Sequence, residues 1–174
     1  IKKSLVLPFR FVTAIKEIQK ESGSSKVITA LSKAADISLC NVPKFDGKTL
    51  VALDVSGSMS GKPIQIGSLF AAALAKSNDA DVMIFSDYAL YKNINVNDSL
   101  TTIANSLNEL IGGTNFHAIF DKANTKYDRI IILSDMQAWM GYYAPTRQFA
   151  SYKSRTGANP HIYSFDLNGY GTLQ

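Results

Sequence analysis

A single cysteine, Cys40, stands in a chain of 174 residues. No intrachain disulfide can form, so stability must come from a packed core. A lone thiol fits a reducing compartment, and a cytoplasmic location is expected. No apolar run reaches the roughly 20 residues of a membrane span, and no secretory-signal pattern opens the chain. A membrane partner is therefore not expected. Internal repeats and low-complexity segments are lacking. So are a phosphate-binding glycine loop, an activated cysteine and a serine–histidine pair at a catalytic spacing, which argues against an enzyme. Charge of one sign is scarce too: 18 Lys and Arg against 14 Asp and Glu leave a net charge of +4. That permits an anionic partner without requiring one.

What is present is apolar residue in regular patterns. The apolar fraction of 46% suits a globular domain with a sizeable core. Residues 1–45 carry two helical stripes, Phe11, Val12, Ile15 and Ile18, then Val27, Ile28, Leu31, Ala34 and Ala35, separated by Gly23-Ser24-Ser25. Two short helices bury little alone, so the pair is expected to pack on a neighbour. From residue 49 strands and helices alternate. Strands are expected at 49–54, 81–85, 89–91, 129–133 and 161–165. Helices are expected from Pro63 with a core face of Ile66, Leu69, Phe70, Ala73 and Leu74, over 100–111 with Leu100, Ile103, Leu107, Leu110 and Ile111 inward, from 115 to about 125, and over 146–155. This alternation implies an α/β fold, a doubly wound, mostly parallel sheet with helices on both faces.

The first strand, Leu50-Val51-Ala52-Leu53, ends in Asp54-Val55-Ser56-Gly57-Ser58. Asp54, Ser56 and Ser58 then lie in a turn at the carboxyl edge of the sheet. Taken alone this is either a hard-cation oxygen cluster or an Asp/Ser-rich turn before a helix. Two more segments reach the same edge, because sites in such sheets lie beyond the strand ends where the strand order reverses. Gly112-Gly113-Thr114-Asn115 precedes a helix, and Asp135 follows a strongly apolar strand. The result is three hydroxyls and two carboxylates from three loops. His117 near this edge reads as a structural or surface residue, and Asn115 as a helix cap. Tyr142, Tyr143, Arg147, Phe149, Tyr152, Lys153 and Arg155 interleave aromatic and basic groups. Such a stretch can stack on single-stranded bases, but its helical spacing favours core residues beside a solvated face.

Asp54, Ser56, Ser58, Thr114 and Asp135 together resemble the metal-ion-dependent adhesion site of von Willebrand factor A domains. The resemblance implies that Ser56, Ser58 and Thr114 contact Mg²⁺ or Mn²⁺ and that Asp54 and Asp135 hold coordinating waters. One position is left for an acidic oxygen of a protein partner. Leu7-Pro8-Phe9-Arg10-Phe11, Asn41-Val42-Pro43 and Asp166-Leu167-Asn168-Gly169-Tyr170-Gly171-Thr172 resemble the C-terminal part of Ro ribonucleoproteins, which join a helical-repeat (TROVE) ring to such a domain. On this resemblance residues 1–45 end the helical module and residues 46–174 form the A domain, shortened at its C-terminus. Most contacts to small noncoding RNA would lie on the ring. The implied function is non-enzymatic, metal-dependent docking in a Ro-like particle. An A domain for adhesion or complex assembly, unrelated to RNA, is the alternative.

Overall fold

The computed structural model describes residues 5–137 and 146–169. Two helices come first, α1 (Pro8–Lys20) and α2 (Ser25–Ser38). Pro8 suits the first turn of α1, where its missing N–H has no intrahelical partner to lose. The helix closes with Ser22 in the left-handed region and the Gly23 N–H donating to Ile18 O at 2.9 Å. The α/β unit follows as β1 (Thr49–Asp54), α3 (Lys62–Asn78), β2 (Asp81–Phe85), β3 (Ala89–Lys92), α4 (Leu100–Leu107), α5 (His117–Lys122), β4 (Arg129–Ser134), α6 (Thr146–Thr156) and β5 (His161–Asp166).

The five strands form one sheet in the order β3-β2-β1-β4-β5. All neighbours are parallel except β3, which returns antiparallel on β2 after a tight turn. β1 is central and buried along its whole length, as its unbroken apolar run requires. Successive residues serve opposite faces. Val51, Leu53, Val82, Ile84, Ile131 and Leu133 pack with α3 and α4 on one side. Leu50, Ala52, Met83, Phe85, Ile130 and Ile132 pack with α5 and α6 on the other. Helices therefore cover both faces, as the alternation of elements predicts. α3 lies close on β1 because Gly67 has no side chain; a Cβ there would stand 2.7 Å from Leu53 Cδ1.

The N-terminal helices join the first of these cores. Val12, Ala35, Leu39 and Val42 share its apolar cluster, and Phe9 stacks on Phe70 of α3 with ring centroids 4.3 Å apart. Asp36 of α2 accepts the Leu100 N–H at 3.0 Å and lies 3.3 Å from the Lys76 ammonium. The expected docking of this pair on a neighbour is thus met by α3 and α4.

Several expectations need correction. The helix foreseen over 100–111 stops at Leu107. Beyond it the chain extends so that the Ile111 N–H donates to Val55 O at 2.7 Å, and Leu110 is exposed. The helix foreseen over 115–125 spans only His117–Lys122. The Arg155 guanidinium takes up the carbonyls of Phe120 and Ala123 at 2.9 and 2.8 Å, which ends it. Ile66, placed on the core face of α3, is 41% exposed. No described helix is long and apolar enough to cross a membrane.

Candidate metal centre

β1 runs beside β4 with Leu53 opposite Leu133, so Asp54 and Ser134 end adjacent strands at one level. The strand order reverses there, with β2 reached to one side of β1 and β4 to the other. The Asp54 carboxylate is wholly buried. Its Oδ1 accepts the Ser56 N–H at 2.9 Å, folding the motif loop back over the strand end. Its Oδ2 accepts the Ser134 hydroxyl at 2.5 Å. The Ser56 and Ser58 hydroxyls lie 3.1 Å apart. Ser56 is buried, whereas Ser58 is exposed at the lip.

Thr114 arrives on the third loop, only 1% exposed. Its position follows from backbone ties. Gly57 N–H donates to Gly112 O at 3.0 Å, and Asn115 N–H donates to Ser86 O at 2.8 Å. Asn115 Oδ1 accepts the backbone N–H of His117, the first residue of α5, at 3.1 Å, although the residue directly before the helix is Phe116. His117 is buried in the first turn of that helix. Asp135 is wholly buried; its Oδ1 accepts the Gln137 N–H at 3.2 Å, while its Oδ2 has no hydrogen-bond partner.

The two carboxylates sit near enough to interact. Burial pushes the Asp54 carboxyl above the ordinary carboxylate range, and the Asp135 charge adds to the rise. Hydrogen bonds from Ser134 and Ser56 oppose it. Two buried acids that sense each other's charge, one of them with an unpartnered oxygen, are costly to bury without a compensating positive charge. Among the described residues no group of three or more His, Cys, Asp or Glu gathers anywhere. What the three loop ends carry is two acids and three hydroxyls, and hard oxygen donors of this kind are the type a hard cation takes.

The basic and aromatic stretch divides. Tyr142 and Tyr143 lie outside the described residues. Phe149 and Tyr152 pack against Phe120, and Tyr152 is fully buried with its hydroxyl on Thr125 O. The core reading of these two rings is the one the structure shows.

The sheet order and the alternation of strands and helices agree with one family description. The family model of the Ro60 vWA domain matches residues 48–164. The chain belongs to the Ro60 vWA domain family. Among solved structures it is similar to the Ro (RSR) protein of Deinococcus radiodurans, at 21% identity and a TM-score of 0.76. The match covers 97% of this chain and 39% of that one, so the chain spans well under half the length of that protein. At this identity the likeness is one of fold, and it includes the N-terminal helices. No curated protein matches the chain.

Within this Ro60 vWA domain, motif reasoning missed three residues at the strand ends. Ser134 holds Asp54 with its hydroxyl proton and accepts the Met136 N–H at 2.9 Å, so one side chain ties both acid loops together. Asp87 accepts the Gly113 N–H at 2.9 Å. Met136 stands in the left-handed region, φ 61°, an uncommon conformation for a residue with a side chain. A hydroxyl at the strand end, directly before Asp135, is the available signal for Ser134. Nothing local marks Asp87, which lies 26 residues before its partner.

Proposed function

We propose that this Ro60 vWA domain binds Mg²⁺ or Mn²⁺ at Asp54, Ser56, Ser58, Thr114 and Asp135 and uses the cation to dock an acidic side chain of a protein partner. The observation that carries the reading is the wholly buried Asp135 Oδ2 without a partner, close to a second buried acid. A cation supplies the missing positive charge and, being neutralised by few acids, retains attraction for one more carboxylate. Ser56, Ser58 and Thr114 would hold it directly, and Asp54 and Asp135 would act through water. The residues themselves present a fixed rim: Ser134 and the Ser56 N–H fix Asp54, and Gly57 fixes the Thr114 loop.

The reading is non-enzymatic. The site's hydroxyls would serve as neutral oxygen donors, which leave the cation's charge to attract a partner's carboxylate. Residues 1–45 would continue a helical-repeat module, and the domain would serve a cytoplasmic Ro-type ribonucleoprotein. Its small RNA would be held mainly by that module.

The test is Mn²⁺ titration of the chain, read by water relaxation and by thermal unfolding. Mn²⁺ should bind and raise the melting temperature, and acetate should change the relaxation of the bound ion. Asp54→Asn should abolish both responses while leaving the metal-free melting temperature unchanged or higher, because a buried charge is removed. A folded wild-type chain that ignores saturating Mn²⁺ would overturn the reading.

A further inference from the structure

One peptide unit connects the ligand loops. Between Gly112 and Gly113 the carbonyl accepts the Gly57 N–H at 3.0 Å, and the N–H of the same unit donates to Asp87 Oδ1 at 2.9 Å. A bond on each side of one amide polarises it, so each strengthens the other. The relay of hydrogen bonds runs from the β2–β3 loop, through this peptide, into the Asp54–Ser58 loop. Thr114 is the next residue. The backbone of Asp87 adds a second tie, its carbonyl accepting the Asn115 side-chain amide at 3.2 Å. The fit leaves no slack. Gly112 stands at φ +60°, and a Cβ there would meet Asp87 Oδ2 at 2.0 Å. The glycine is required by backbone conformation and by the closeness of this carboxylate together.

Asp87 itself is exposed, as is Tyr88 after it, while Ser86 and Ala89 on either side of the pair are buried. An exposed carboxylate aimed inward at a loop amide has little to gain in general stability, since water would serve the same amide. What it does fix is the direction of the Gly112–Gly113 peptide, and with it the position of Thr114 relative to Ser56 and Ser58.

We propose that Asp87 is a positioning residue for the cation site, holding the Gly112–Gly113 peptide so that Thr114 and the Ser56–Ser58 loop face one point. The proposal rests on the metal reading above. Asp87 touches neither the cation nor its acidic ligand; it acts through an acceptor oxygen on a backbone amide. Two consequences separate this role from others. The effect depends on the acceptor, so Asp87→Asn, which retains Oδ1, should bind Mn²⁺ nearly as the wild type does. Asp87→Ala should lose about tenfold in affinity, the scale on which groups supporting a metal ligand act.

The experiment is Mn²⁺ titration of the full chain, well below its melting temperature, for wild type, Asp87→Ala, Asp87→Asn and Asp87→Glu. Glu keeps the charge and misplaces the oxygen by one methylene, so it should weaken binding as Ala does. It also serves in place of Ala should that variant not fold. Rescue by Asn with loss in Glu supports positioning. Equal loss in Asn and Ala with wild-type affinity in Glu would mean that Asp87 acts by charge at a distance, and would overturn the proposal. Wild-type affinity in Ala, or in Glu when Ala is unfolded, overturns it as well, while leaving the metal site standing. Failure of the folded wild type to bind Mn²⁺ instead overturns the metal reading, and this proposal with it.

Discussion

Individual side chains in this domain do most at positions where polar groups are buried. Tyr127 is an example outside the candidate site. It is 1% exposed, and its hydroxyl donates to Asp81 Oδ2 at 2.6 Å and lies 3.1 Å from the Tyr91 hydroxyl. Burial pushes its phenol pKa well above the ordinary range, and the hydrogen bond to Asp81 adds to the shift. The protonated form is therefore favoured in the folded state. Its contribution to stability is fully present below the unfolded pKa of about 10 and is lost as pH rises beyond it. The loss approaches about 1.4 kcal/mol per pH unit for this one group. Tyr127→Phe should cost roughly 1 kcal/mol at neutral pH through the lost hydrogen bond to Asp81, which keeps its Lys48 ion pair, and should flatten the alkaline limb. Urea unfolding of the two proteins from pH 8 to 11 measures this; an alkaline limb equally steep in both would refute it. Ser134 illustrates why such residues escape motif reading. Serine at the end of a strand is unremarkable, and only the parallel pairing of β4 with β1 brings its hydroxyl onto Asp54, 80 residues away.

At the scale of elements, the helices hold their places by few, specific contacts. α1 has a continuous inner stripe, but its attachment to α3 centres on the Phe9–Phe70 stack and the Lys16–Gln65 hydrogen bond at 2.8 Å. Phe9→Ala should destabilise the chain by about 2–3 kcal/mol, combining lost aromatic burial with the unfilled space beside Phe70. Chemical unfolding gives the value, and a change under 0.5 kcal/mol, the ordinary range of a surface substitution, would mean that α1 is not held there. The strands differ among themselves. β1 is enclosed by two neighbours and two helical layers, whereas β5 is a sheet edge whose Ile162, Tyr163 and Phe165 are all exposed by more than a third. The bonds from His161 N–H to Asp128 O and from Leu167 N–H to Ser134 O show that odd-numbered amides of β5 point at β4. Hydrogen exchange should therefore be fast at Ile162 and Ser164 and slow throughout β1. The apolar letters of β5 announced a strand without revealing that its outer side is uncovered among the described residues, because apolar periodicity records what an element can bury, not what is there to cover it. α4 makes the complementary point. Leu110 and Ile111 continue its helical spacing, yet a hydrogen bond to Val55 draws the chain out of the helix at Leu107.

For the whole molecule, the two N-terminal helices and the sheet form one apolar cluster through Val12, Ala35, Leu39 and Val42. Removing residues 1–45 should expose that side of α3 and α4 and yield a chain that aggregates or melts well below the intact one. A peptide of residues 1–45 should show no cooperative unfolding, since its stripes have nothing else to bury against. A soluble 46–174 fragment melting at the temperature of the full chain would contradict the first, and a cooperative unfolding transition in the monomeric peptide the second. By itself the sequence determined the kinds of element and their order, because periods of two and of three to four residues are local properties of the chain. It also determined which loops carry oxygen donors, since Asp54, Ser56, Ser58, Thr114 and Asp135 follow or precede apolar runs recognisable as strands and helices. The tertiary structure alone decided how those loops are held. The Ser134 bond to Asp54 and the Asp87 grip on the Gly112–Gly113 peptide join residues far apart in sequence. Their distances follow from strand register and the path of the β2–β3 loop, which exist only once the sheet has closed its order around β1.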